Sequence, residues 1–126
     1  MPTVLIVDDN FDDRRILTAI LEFYGYRVEA ALSGTDGIEA ARIMRPDLIL
    51  MNIELPDTDG LTATQTIRAD KEIGDTPVLC LSNLEIHHHD KTNPRDYGCN
   101  EILIAPFSPP DLIAAVKRNI AIPNAR

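Results

Sequence analysis

Leu48-Ile49-Leu50-Met51 restricts the fold of this chain more than any other stretch. Four aliphatic side chains in a row lie between Pro46-Asp47 and the polar Asn52, and a loop with Pro56 and Gly60 follows. The run is too short for a helix and has no polar face to offer water. It therefore reads as a strand covered on both sides, as strands are in a parallel sheet. Parallel strands need crossover connections, usually helices. In such sheets the polar residues just past the strand ends are where sites are kept. One stretch thus implies an architecture and points to a site at Asn52.

The flanking sequence supplies the other layers. Thr3-Val4-Leu5-Ile6-Val7 is a first buried strand, ending at Asp8-Asp9-Asn10, three helix-capping residues in a row. Ile16, Leu17, Ile20, Leu21 and Tyr24 recur at helical spacing and form one expected apolar stripe, closed by Gly25. Tyr26 to Leu32 carries Arg27 and Glu29 and reads as an edge strand. Ser33 can cap a second helix with Ile38, Ala41 and Met44 facing inward, and Pro46 prevents its continuation. Asp59-Gly60 opens a third helix with Leu61, Thr64 and Ile67 on its inner side. Val78-Leu79-Cys80-Leu81 is strand four, ending on Ser82-Asn83.

From Leu84 to Gly98 the pattern is poor. His87-His88-His89, Asn93 and Pro94 disfavour a regular helix, so a short or broken one is expected. The histidine tract reads as a solvated loop and not a metal site, because consecutive residues do not share a helical face. Glu101 to Ala105 is strand five. Ser108-Pro109-Pro110-Asp111 starts a last helix that buries Leu112, Ala115, Val116 and Ile120 and stops at Pro123. Five βα units imply an α/β fold, a doubly wound five-stranded parallel sheet.

The chain's 126 residues make a single domain over 1–126, with its core in 3–120. Tryptophan is absent, so the core must be aliphatic. The net charge of −8 excludes direct binding of nucleic acid, since no basic surplus exists to neutralise phosphates. No apolar run approaches the ~18 residues of a membrane span. Cys80 and Cys99 are too few for a disulfide framework; as a buried small hydrophobe and a turn-adjacent thiol they suit a reducing cytoplasm, the expected location.

Asp8-Asp9 after strand one, Leu55-Pro56-Asp57-Thr58-Asp59-Gly60 after strand three and Pro106-Phe107 after strand five fall in order at strand ends. Together they resemble the receiver domains of two-component response regulators. The resemblance implies a flavodoxin-like (βα)5 sheet of order 2-1-3-4-5. It also implies Mg²⁺-assisted phosphoryl transfer to an aspartate at position 52, aided by a hydroxyl at 82 and a lysine at 105. Asp8 and Asp9 match the metal-binding acids, with Glu54 supplying a carbonyl ligand, and Ser82 matches the hydroxyl.

Four positions depart from the pattern. Asn52 replaces the acceptor, and a neutral amide is a far poorer nucleophile than a carboxylate. Ala105 replaces the lysine, Ile102 a switch aromatic, and Asn83 a small residue. One anion and one cation are lost together, which leaves the net charge of the site unchanged and favours a naturally degenerate receiver over an engineered one. Asp8, Asp9 and Glu54 would then form only a weakened Mg²⁺ site, and no other cofactor is expected. The Glu54 carboxylate can be read as leaning into the pocket or as a solvated loop acid. Ser82 can be read as bonded to the Asn52 amide or to backbone.

The expected function is that of an atypical, phosphorylation-independent protein-interaction module without enzyme activity. The alternative is a conventional Mg²⁺-dependent aspartyl-phosphate receiver with a substituted acceptor. The resemblance implies a protein partner, a histidine kinase or a downstream signalling protein, or else a second copy of the chain. The partner surface is the fourth helix, fifth strand and fifth helix, around residues 84–120, including Ile102, Ala105, Pro106 and Phe107. A flavin- or nucleotide-binding protein is disfavoured, because the first βα turn is acidic where a phosphate cradle needs glycines.

Overall fold

The computed structural model describes residues 1–83 and 94–120. In these, strands and helices alternate: β1 (Thr3–Val7), α1 (Phe11–Phe23), β2 (Arg27–Ala31), α2 (Gly34–Met44), β3 (Leu48–Asn52), α3 (Gly60–Ala69), β4 (Val78–Asn83), a 3₁₀ turn (Pro94–Tyr97), β5 (Glu101–Ala105) and α4 (Pro109–Ile120). The strands form one parallel sheet of order β2-β1-β3-β4-β5, as expected, with β2 at one edge. The expectations for the histidine tract and for the broken helix before Pro94 fall outside the described residues.

Alternation along each central strand splits the core into two layers. Leu5, Val7, Ile49, Met51 and Cys80 face α2 and α3, meeting Ala41, Ala63 and Ile67. Val4, Ile6, Leu48, Leu50 and Leu79 face α1 and α4, meeting Leu17, Leu21, Leu112 and Val116. This double coverage is why Leu48 to Met51 carries no polar residue.

Helix starts follow the capping chemistry. Asn10, Ser33 and Asp59 each accept a hydrogen bond from the backbone N–H three residues on. Ser108 and Asp111 cap reciprocally, Asp111 N–H to the Ser108 hydroxyl and Ser108 N–H to the Asp111 carboxylate. Gly25 follows α1 at φ +92°, where a side chain would be strained.

Two sequence expectations need correcting. The apolar stripe of α1 is narrower than read: Leu17 and Leu21 are buried, but Ile16 and Tyr24 are 54% and 44% exposed. Tyr24 lies past the last helical turn as its C-cap, and Ile16 sits one position off the i, i+4 line of Leu17 and Leu21. The cysteines are also not two separate thiols. The structure joins Cys80 of β4 to Cys99, just before β5, with Cα atoms 6.2 Å apart. Pairing of β4 with β5 brings the two together, which a separation of 19 residues in sequence hides.

Candidate functional site

The C-terminal ends of adjacent strands gather the residues singled out above. β1 pairs with β3 so that Val7 lies opposite Met51, which sets Asp8 beside Asn52. β3 pairs with β4 so that Asn52 lies opposite Leu81, next to Ser82. β4 pairs with β5 so that Ser82 lies opposite Ile104, next to Ala105.

Gly60 makes the β3–α3 turn compact. Its N–H donates to Ile53 O at 2.7 Å, and a Cβ at this position would collide with the carbonyl oxygen of Asn52. Asp57 anchors the same turn to α2: its carboxylate accepts from the N–H of Gly34 and from both the N–H and hydroxyl of Thr35. These bonds hold the Asp57 carboxyl well below the usual carboxylate range.

Asp8 is only 3% exposed. Its Oδ1 accepts from the Asn10 N–H at 2.9 Å and from Asn52 Nδ2 at 3.3 Å. Asn52 Oδ1 in turn accepts from the Glu54 N–H at 3.1 Å. The Asn52 amide is thus engaged with Asp8 on one side and with the Glu54 backbone on the other. Burial is the main cause that pushes the Asp8 carboxyl above the ordinary carboxylate range; Asp13 and Asp9 push the same way, and the bonds from Asn10 and Asn52 pull against them. The Asp8 carboxylate thus has Asp13 and Asp9 of its own sign nearby, while the Arg14 guanidinium donates to its backbone carbonyl at 3.1 Å.

A cavity of about 430 Å³ opens over this cluster. Asp8, Asp13, Asn52, Glu54 and Ser82 form its polar side. Ile16, Leu17 and Ile20 of α1 face Ala105, Pro106, Phe107 and Pro109 across it. Glu54 borders the pocket and is exposed to solvent. Asp9 is exposed and forms no part of the wall.

With Asn52 in place of a carboxylate, the donor set is poorer for a Mg²⁺ ion. A hard dication needs several oxygen ligands in near-octahedral array. Here Asn52 aims an N–H at the Asp8 oxygen, where a carboxylate at the same position would offer a further oxygen.

Of the expected partner surface, Pro106 is exposed, Ala105 and Phe107 are half-buried on the cavity wall, and Ile102 packs half-buried against the α2–α3 side of the core. Sequence reasoning missed Asp13, Ile16 and Ile20 as pocket residues. The available signal was their place on the helix that follows Asp8.

The family model for the response regulator receiver domain matches residues 4–117. The DNA-binding dual master transcriptional regulator RpaA of Synechocystis is 36% identical over 117 residues, which is 93% of this chain and 48% of RpaA; the chain thus spans about half the length of that relative. The polar-differentiation response regulator DivK of Brucella ovis is 32% identical over 115 residues, 91% of this chain and 93% of DivK. Among solved structures, the receiver domain of the sensor histidine kinase PA1611 from Pseudomonas aeruginosa, with magnesium coordinated in its active-site cleft, superposes with a TM-score of 0.88 at 31% identity, covering 96% of this chain and 98% of that one. Chemotaxis protein CheY4 of Vibrio cholerae gives 0.85 at 28% identity, over 94% and 98%.

Proposed function

The chain belongs to the response regulator receiver domain family of two-component signalling, and from that premise we propose that it works as a phosphorylation-independent interaction module, without enzyme activity of its own. The observation that carries this reading is Asn52 at the end of β3. Its amide offers no ionised oxygen, and both of its polar atoms are engaged, with Asp8 and with the Glu54 backbone. Ala105 offers no ammonium to steady a phosphoryl group.

The partner is a histidine kinase or a downstream signalling protein, and the docking face includes β5 and α4 with Ile102, Ala105, Pro106 and Phe107. A second copy of the chain is the alternative occupant. Among the described residues no helix is long and apolar enough to cross a membrane. A cytoplasmic location is part of the same reading, since signalling kinases draw on ATP there.

Intact-mass spectrometry after incubation with acetyl phosphate and Mg²⁺ tests the reading. No adduct of about 80 Da is expected on the chain as it stands. A stable adduct at residue 52 would overturn it. The double variant Asn52→Asp with Ala105→Lys restores the carboxylate and the ammonium and is expected to gain that adduct.

A further inference from the structure

We propose that the cavity between α1 and the end of β5 is a binding site for a small organic cation, a protonated primary amine with a short apolar body. This inference does not depend on whether the domain signals without phosphate. It rests on two independent features of the pocket.

The first is Asp8. It is 3% exposed; among the described residues both donors to its carboxylate, the Asn10 N–H and Asn52 Nδ2, go to Oδ1, and the side chain borders the cavity. Asp13, on the same wall, adds negative potential. A buried carboxylate in this setting gains from a cation brought out of water against it, far more than an exposed pair does.

The second is the opposite wall. Ile16, Leu17 and Ile20 face Pro106 and Phe107, so the space beside the carboxylate is apolar. A volume of about 430 Å³ lies at the small end of the range for ligand pockets. Ala105 leaves that volume open, because it lines the same cavity and its side chain stops at a methyl group. The pocket therefore selects an ammonium head joined to a hydrocarbon body. A bare metal ion would meet the N–H of Asn52 and a greasy wall, with too few oxygens.

Titration of the full chain with phenethylamine in Mg²⁺-free buffer at neutral pH, followed by nitrogen–proton correlation spectra, tests the site. Saturable shifts are expected at the amides of Asp8, Asn52, Ala105 and Phe107, with roughly tenfold weaker binding of phenethyl alcohol, the neutral analogue. Ala105→Lys places a cation in the cavity and is expected to abolish saturation while keeping the dispersed spectrum of a folded domain. Asp8→Asn is expected to bring amine and alcohol to the same affinity. Equal binding of amine and alcohol to the unsubstituted chain would overturn the proposal. So would unsaturable shifts spread over the surface acids, or an unchanged response in Ala105→Lys. Tighter binding of Nα-acetyl-lysine methylamide than of phenethylamine would overturn it too, assigning the pocket to a partner's lysine side chain.

Discussion

Arg68 and Asp8 are charged side chains set into opposite ends of the same sheet. At the N-terminal ends of β4 and β5, the Arg68 guanidinium donates to the carbonyls of Gly98, Gly74 and Thr76 and to Asn100 Oδ1, at 2.6 to 3.0 Å. Asn100 Oδ1 also accepts from the Val78 N–H, so one arginine ties α3 to the starts of two strands. At the other end Asp8 has one oxygen bonded, like charges nearby and a cavity beside it. The first end is complete within the chain. At the second, among the described residues, no basic side chain meets the carboxylate, and that is the end where the proposed ligand would bind.

The largest expected effect tests the complete end. Arg68→Met keeps most of the stem but takes this donor from three carbonyls, Asn100 Oδ1 keeping the Val78 N–H, and should lower stability by about 3 kcal/mol in urea unfolding. A loss below roughly 1 kcal/mol would place those carbonyls in contact with water and remove the contrast. Cys99→Ser should follow, at about 2–3 kcal/mol relative to the oxidised chain, since the bond closes a loop across 19 residues. The same shift should appear when the unsubstituted chain is reduced. Cys99 lies between Gly98 and Asn100, both partners of Arg68, so the two losses should not add.

Much of this contrast was invisible in the sequence, and the reasons are physical. Short apolar runs and caps such as Ser33, Asp59 and Ser108 act locally, so strands, helix starts and sheet class could all be read from them. Asp8, Asn52, Ser82 and Ala105 were legible for the same reason: each sits just past or at a strand end, where a parallel sheet puts its crevice. Arg68 gave no signal, because a lone arginine on a helix reads as solvated and its carbonyl partners belong to the backbone. The Cys80–Cys99 bond depends on strand order and not on spacing. The cavity was hidden most deeply, because it is made by what Ala105 fails to fill and by Ile16 and Ile20, which looked like core.

The smallest effect discriminates between the two ends by sign. Asp70, which caps the end of α3 near Arg68, is held below its ordinary value of 3.8, chiefly by the side-chain bond from Arg42 and by the Glu72 N–H. A depressed carboxyl contributes stability that is present above the unfolded value and lost as pH falls through the folded one. Asp57 acts in the same direction. Asp8 is raised above 3.8, so its ionised form opposes folding at neutral pH, and the folded state takes up that proton first on acidification. Stability should therefore rise slightly as pH falls from neutral toward the unfolded value, then drop below it as Asp70 and Asp57 protonate. Asp8→Asn should raise the unfolding midpoint at neutral pH and erase the rising limb while leaving the acid drop in place. Asp70→Asn should do the reverse, lowering the midpoint at neutral pH and shallowing the acid drop. If Asp8→Asn instead lowers the midpoint at neutral pH, a cation already neutralises Asp8 in the folded chain, and the two ends of the sheet are alike after all.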